Sequence, residues 1–576
     1  DGIRDVERSR GLGDVYKRQV ENNITSNSWD GIYLHTALNN TIIGNDITND
    51  NRSGIAIFMS SNNTISNNNV SGNTIYGIFL VESNYNIISG NNVTESGIHG
   101  IYLDKSNCSL IVDNEVYDSG ELGIFLLESI DNNVTGNVAS RNFYTGIKLH
   151  SSNCSVVHGN QVSDNRIGIE LWYSENNTIS NNNATGNPIH GIDLWKCTDN
   201  AIVDNRVDGS IKGIRLLESN GNNITCNIIV NNPGYGLYLE SSNHNTVSGN
   251  NVTGNAEDGI FIWWSSNNMV FDNYVAENEL GISLVGSPNN VLKNNHMRSN
   301  TFNFHVGGWE LSDFINDIDT SNLVDGKPIY YWINKHDDVI PEDAGYVGLV
   351  NCTRVTVENL TMTGNGQGIL LAYTKNSIIS NNLLTRNIDG INLRECSNIT
   401  ITKNNVTINS HSGIYLELCY NSTITLNNIA NNVFGVDLFD SSRNTIVNNT
   451  FVSNGLAVMW SYDNTVENNT VNGKPLVYLE DCSNIVVSDA GQVVLVRCSN
   501  ITVSNLDLSY ASVGVELWDT NNSVISQNNI VGNSYWGIYL SENACNNTIV
   551  ANNITCLLYT SPSPRDLSTS RMPSSA

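Results

Sequence analysis

Seven side chains come into register when the sequence is cut every 22 or 23 residues: Lys148 and His150, Glu170 and Trp172, Asp193 and Trp195, and finally Arg215. Indole rings beside acidic and basic groups are what a polysaccharide groove needs. Sugar rings stack on the aromatic faces, and carboxylates accept hydrogen bonds from sugar hydroxyls. If successive repeats stack as neighbouring strands, Glu170 and Asp193 come about 5 Å apart, a separation that also suits retaining glycoside hydrolysis. The same residues can be read as two cross-strand ion pairs, Lys148–Glu170 and Asp193–Arg215, set between aromatic ladders that stabilise the sheet. No dedicated catalytic motif accompanies them, so Glu170 and Asp193 are the only candidates for catalysis, and binding is the preferred chemistry. A strip of four repeats would be about 15 Å long, room for a few sugar units.

The elements that position this strip are set by a tetrapeptide, Gly-(Ile/Leu)-x-(Leu/Ile). Its glycines run from Gly31, Gly54, Gly77 and Gly100 through Gly146, Gly168, Gly191 and Gly213 to Gly281. They resume at Gly368, Gly390, Gly413 and Gly435, and again at Gly514 and Gly537. A fixed period of this size means one unit stacked many times, since a single unit cannot bury its apolar face. Within a repeat, apolar residues alternate over short stretches (Ile78 and Leu80, then Ile87, then Val93) separated by Asn, Gly and Ser. That is strand patterning with tight bends and leaves no room for a helix. The prediction is an all-β chain folded as a right-handed parallel β-helix of about 20 coils, three short strands to each coil. The Ile and Leu of the tetrapeptide would point inward, and x and the residue after Leu outward.

The abundance of Asn follows from the same geometry. Pairs such as Asn62–Asn63, Asn132–Asn133, Asn176–Asn177 and Asn222–Asn223 are expected at one place in each coil. There Asn tolerates left-handed backbone and its amide can bond the coils above and below. A second column of small residues (Ser60, Ser83, Ser106, Ser129, Ser174, Cys197, Ser219, Ser265, Cys396, Cys419) reads as a ladder in which Cys stands in for Ser. The 11 cysteines include no C-x-x-C. Cys396 and Cys419, one coil apart, are placed either as buried thiols or as a disulfide. Asn-x-Ser/Thr sequons such as Asn92, Asn133 and Asn251 are either glycan acceptors or by-products of the turn-plus-strand pattern.

A formal net charge of −28 argues against nucleic acid or an anionic membrane as partner. It suits a chain in the periplasm, at the cell surface or outside the cell, with calcium a possible ion there and no cofactor predicted. The two ends depart from the pattern. Residues 1–19 and 557–576 lack the Asn-rich repeat, resemble translated adapter sequence, and are set aside as non-native. On that reading the natural part is an internal fragment.

Two stretches interrupt the repeat. Val324-Asp325-Gly326-Lys327-Pro328 leads to Asp343-Ala344-Gly345, and a copy runs from Val471-Asn472-Gly473-Lys474-Pro475 to Asp489-Ala490-Gly491. The chain is thereby divided into coils at 20–300, a modified stretch at 301–367, coils at 368–470, a second modified stretch at 471–513, and coils at 514–556. Together, the Gly-Ile-x-Leu coils and the (Asp/Asn)-Gly-Lys-Pro…Asp-Ala-Gly units resemble NosD-type β-helix proteins. They also resemble the wider group of carbohydrate-binding proteins and sugar hydrolases with this repeat. The resemblance spans about residues 20–556 and implies a surface or periplasmic β-helix. Its name-bearing members are associated with copper delivery, which calls for soft ligands. This chain has 6 Met and 10 His, with no Met-x-Met or His-x-His. The sequence therefore favours a non-catalytic polysaccharide-binding or structural protein. A polysaccharide lyase, hydrolase or epimerase is the alternative class, and copper delivery ranks below both.

Overall fold

The computed structural model describes residues 21–555, so the terminal segments set aside above lie outside the described residues. Within them the chain is a parallel β-solenoid, and a single 3-10 turn, Leu311–Phe314, is the only helical element. Two compact units divide at Ser210 and Ile211.

In the first unit each coil carries a long strand followed by two of three residues. The long strand has four residues in the first coil, Ile32–His35, and six thereafter, as in Tyr76–Val81, Ile87–Ser89 and Asn92–Thr94. Equivalent strands pair in parallel and in strict register: Ile78 lies beside Ile101, Ile101 beside Ile124, and Ile124 beside Ile147. From Gly54 onward in this unit the inward Ile and Leu of each tetrapeptide are fully buried, as expected from period-two patterning, while Ile32 and Leu34 in the first coil are partly buried. The glycine has a steric cause. A Cβ on Gly77 would stand 2.3 Å from Val93 Cγ1 and 2.6 Å from the Gly100 carbonyl oxygen, so the strand could not approach the coil wall with any side chain there.

Buried polar ladders line the bends. The amide N–H of Asn68 donates to Asn91 Oδ1, that of Asn91 to Asn114 Oδ1, and that of Asn114 to Asn137 Oδ1, at 2.9–3.0 Å. The Ser column behaves likewise, with the backbone of Ser60 donating to Ser83 Oγ and that of Ser83 to Ser106 Oγ. One expectation is corrected. Asn63, Asn132, Asn177 and Asn222 are all buried, whereas Asn62 and Asn176 adopt left-handed φ of 57° and 56°. In the other two pairs the left-handed residue is Asp131 or Gly221, so Asn132 and Asn222 are the first members of their pairs and the doublets are offset by one residue.

The second unit contains the interruptions, and each is a hairpin. Leu323–Val324 pairs antiparallel with the start of Lys327–Ile333, and Thr470–Val471 with the start of Lys474–Glu480. The connecting residues all have positive φ: 48° and 82° at Asp325-Gly326, 51° and 79° at Asn472-Gly473. Positive φ at both central residues is the requirement of a type I′ hairpin, which selects Asp-Gly or Asn-Gly. Each hairpin starts a new stack and leaves the last long strand of the old one without a neighbouring strand to receive its backbone. Side chains from the new stack take over that role. Gln367 accepts from Val306 N–H and donates to its carbonyl. At the second step Gln492 accepts from Leu456 N–H, Ser512 from Gly455 N–H, and Glu516 from Val458 N–H at 3.1 Å. Buried backbone groups are thereby satisfied without a strand.

Cys396 and Cys419 are free thiols, and the N–H of the first donates to the sulfur of the second at 3.3 Å. The disulfide alternative is thus replaced by the ladder, with Cys standing where Ser stands elsewhere.

Candidate functional site

In the first unit the strands Thr145–His150, Ile167–Trp172 and His190–Trp195 stand side by side, with Lys148 beside Glu170, Glu170 beside Asp193, and Trp172 beside Trp195. Six of the seven sequence-predicted residues are therefore brought together. Arg215 lies in Lys212–Leu217 of the second unit, beside Tyr238.

Their accessibility is not what alternation alone suggests. The outer face of each long strand carries three positions: the residue before the glycine, x, and the residue after the Leu. Because x is the middle one, its neighbours cover it, and Glu170 and Asp193 are only 4% and 3% exposed. The expectation that x opens to solvent is corrected for these two carboxylates. Lys148 Nζ lies 3.0 Å from Glu170 Oε2, and Thr145 Oγ1 donates to the same oxygen at 3.0 Å. The ammonium also sits 3.4 Å from the centroid of the Trp172 ring. The pair is thus roofed by an indole, and a cation on a π face gains most where water is excluded.

The part of the strip that reaches solvent is aromatic. His150 meets Trp172 edge-on at 5.8 Å and stacks on Tyr173 at 5.9 Å. Trp172 meets Trp195 edge-on at 4.9 Å, and Tyr173 lies 5.1 Å from Trp195. Lys196 Nζ is 5.1 Å from the Trp195 ring. Burial, together with Lys148, lowers the His150 imidazole below its ordinary value. Sequence reasoning missed Tyr173 and Lys196. Both occupy the left-handed residue that ends the long strand, with φ of 49° and 52°, which turns their side chains back over the Trp column. The signal was there, one residue beyond the outer column that was read.

A second group of carboxylates lies in the second unit. Asp437 and Glu516 hold the x positions of Gly435-Val-x-Leu and Gly514-Val-x-Leu, the tetrapeptides that carry Val for Ile. Glu516 accepts from Trp518 Nε1–H at 2.6 Å as well as from Val458 N–H. Burial pushes its carboxyl up to about 8, with Asp437 adding to the rise. Asp437, with Oδ1 buried and without a hydrogen-bond partner, is pushed up to about 7 by burial, His411 opposing the rise. Asp389 Oδ1 lies 3.0 Å from His411 Nδ1, and that hydrogen bond raises the imidazole.

Metal chemistry finds little support among the described residues. Asp463, Glu480 and Asp481 are grouped closely enough to hold a cation, but Arg497 Nη2 already donates to all three at 2.7–2.9 Å. All three are hard oxygen donors, the wrong kind for Cu(I). Met297 and Met362 are packed in the core, and the thiols of Cys197, Cys352, Cys396 and Cys498 donate to backbone carbonyls. Met59, Met269, Cys154, Cys226 and Cys545 are exposed, but among the described residues no His or Cys belongs to a group of three close ligands. The residues present do not fit a copper site.

No helix among the described residues is long and apolar enough to cross a membrane. Among solved structures the chain is similar to a double mutant of the periplasmic alginate epimerase AlgG, with 17% identity, TM-score 0.36, and coverage of 48% of this chain and 75% of that one. It is similar to the Dettilon tailspike protein at 12% identity, TM-score 0.31, and 55% and 59% coverage. Pectate lyase Pel9A follows at 15% identity, TM-score 0.26, and 48% and 71% coverage. No curated protein matches in sequence. A family model does, repeatedly: NosD, described as periplasmic copper-binding protein, matches residues 10–145, 73–189, 138–330, 313–458 and 452–556. A chain whose coils satisfy that model from one end of the described residues to the other belongs to the NosD family.

Proposed function

We propose that this NosD-family chain is a non-catalytic polysaccharide-binding protein of the periplasm or cell exterior, with Lys148, His150, Glu170, Trp172, Asp193 and Trp195 at its binding strip. One observation carries the reading: a partly exposed corner of His150, Tyr173, Trp195 and Lys196 rests on Trp172, and Lys148 neutralises the carboxylate beneath. Exposed ring faces beside polar groups suit sugar stacking. Glu170 is poorly placed as an acid or base, since Lys148 and Thr145 already occupy it out of reach of solvent.

Calorimetric titration against a panel of pectins, alginates and neutral glucans tests this. Trp172→Ala with Trp195→Ala should weaken binding at least tenfold, each ring contributing on the order of 1 kcal/mol, while the fold stays intact. Unchanged affinity in that variant would reduce the strip to a structural ladder. Asp437 and Glu516, the carboxylates that burial raises toward neutral, are as inaccessible as Glu170 and offer no better acid or base. Depolymerisation of any panel member would favour the enzymatic alternative instead.

A further inference from the structure

An exposed aromatic pair in the second unit belongs to no feature described so far. Trp264 follows the strand Asp258–Trp263 and is 59% exposed; Trp309 follows Phe302–Gly307 and is 52% exposed. Their rings meet edge-on at 6.4 Å, with Trp263 5.6 Å behind Trp264. Isolated exposed tryptophans are unremarkable, but this pair is held in place.

Three features do the holding. Gly286 lies between the rings with φ 58°, and a Cβ there would be 2.6 Å from Trp264 Cδ1 and 3.0 Å from Trp309 Cζ3, so both indoles rest where any other residue would displace them. The backbone N–H groups of Trp309 and Glu310 both donate to Asp313 Oδ2, at 2.8 and 3.0 Å. The Tyr373 hydroxyl lies 3.2 Å from the Trp309 carbonyl and 3.0 Å from Glu395 Oε1, with its one proton available to either acceptor. A large apolar side chain fixed by its backbone and left open to water has its ordering entropy already paid, which is how a preorganised contact gains affinity.

The electrostatics narrow the occupant. Glu310 follows Trp309 in the chain, Asp313 accepts from the Trp309 backbone, and Glu395 is linked to it through Tyr373. The cation acting on Tyr373 is Arg394, which is itself paired with Glu417. A polyuronate would bring further negative charge within a Debye length of these three carboxylates. An uncharged sugar offers flat C–H faces to the indoles and hydroxyl donors to Glu310 and Glu395.

We infer that Trp264 and Trp309 form a second glycan platform, one that takes an uncharged pyranose chain and rejects polyuronates. This rests on the polysaccharide-binding reading above and adds to it a second site and a ligand class. The test is calorimetric titration of the whole chain with cellohexaose, laminarihexaose and mannohexaose, and with polygalacturonate and alginate oligomers, with thermal melts to confirm folding. Trp264→Ala/Trp309→Ala should lose at least tenfold in affinity for the neutral hexasaccharide that binds. Gly286→Ala, which keeps both indoles but displaces them, should lose affinity in the same direction. Unchanged neutral affinity in the double variant overturns the platform, as does a wild-type preference for uronates. If Trp172→Ala/Trp195→Ala removes all binding and the Trp264 and Trp309 variant removes none, the proposed function stands and this platform falls. A wild-type chain that binds no member of the panel overturns both.

Discussion

Three carboxylates occupy the same place in the coil and meet different fates. Glu170, Asp437 and Glu516 all sit at x of the tetrapeptide, all under flanking side chains, and all less than 6% exposed. In the first unit Glu170 has a cation on the adjacent strand, Lys148, itself only 12% exposed. In the second unit Glu516 is met by a backbone N–H and an indole N–H, and its carboxyl is driven up to about 8. Burial is common to both; the partner differs. A buried charge with an opposite charge in contact can remain a charge, whereas one held only by neutral dipoles is pushed toward its protonated form.

Removing the partner should break the comparison most visibly. Lys148→Met leaves Glu170 buried and uncompensated, a change that costs about 3–5 kcal/mol for pairs of this kind. Hydrogen exchange across residues 145–195 should show the loss, and Glu170→Gln added to it should restore most of it. Equal instability in the single and double variants would mean that the pair is not what Lys148 contributes.

The pH dependence of the second unit sharpens the contrast and is a smaller effect. Asp437 and Glu516 have folded-state values raised to about 7 and about 8, above their unfolded values. The unfolded chain therefore releases these protons first as pH rises, and stability present at pH 4 should decline through pH 8. Protection of the Val458 amide, corrected for intrinsic exchange, should fall across that range. Glu516→Gln keeps an acceptor for Val458 and should flatten the slope. An unaltered slope in Glu516→Gln would assign the titration elsewhere.

The smallest effect belongs to an ion pair outside the coil wall. Arg141 donates twice to Asp118, at 2.9 and 2.8 Å, with both side chains about half exposed. Geometry of this quality on the surface contributes little, because water competes and salt screens. Arg141→Ala should leave the melting temperature unchanged in high salt. A large loss there would show that position in the coil, rather than burial, governs these pairs.

Much of this was legible from spacing. Glycines every 22 or 23 residues require a stacked unit, and the alternation around them requires short strands, so coil, register and core follow from local rules. The Asn and Ser ladders were readable for the same reason, since residues one period apart become neighbours. The offset of Asn132–Asn133 was not, because only backbone φ shows which member of a doublet turns and which is buried. Nor was the reach of Glu516 to the Val458 N–H, across the Asn-Gly-Lys-Pro hairpin.

What the sequence determined by itself is whatever repeats: the parallel β-solenoid, its inward Ile and Leu, and the columns that place Lys148 beside Glu170. Tertiary structure alone decided what the chain does at the interruptions, including the positive-φ hairpins at Asp325-Gly326 and Asn472-Gly473. It placed x beneath its neighbours, set Gln367 and Glu516 in the role of missing strands, and seated Trp264 and Trp309 across Gly286. The reason is physical. A period specifies contacts between equivalent residues, while a hairpin step joins residues that are not equivalent, and their contacts depend on the three-dimensional path of the chain.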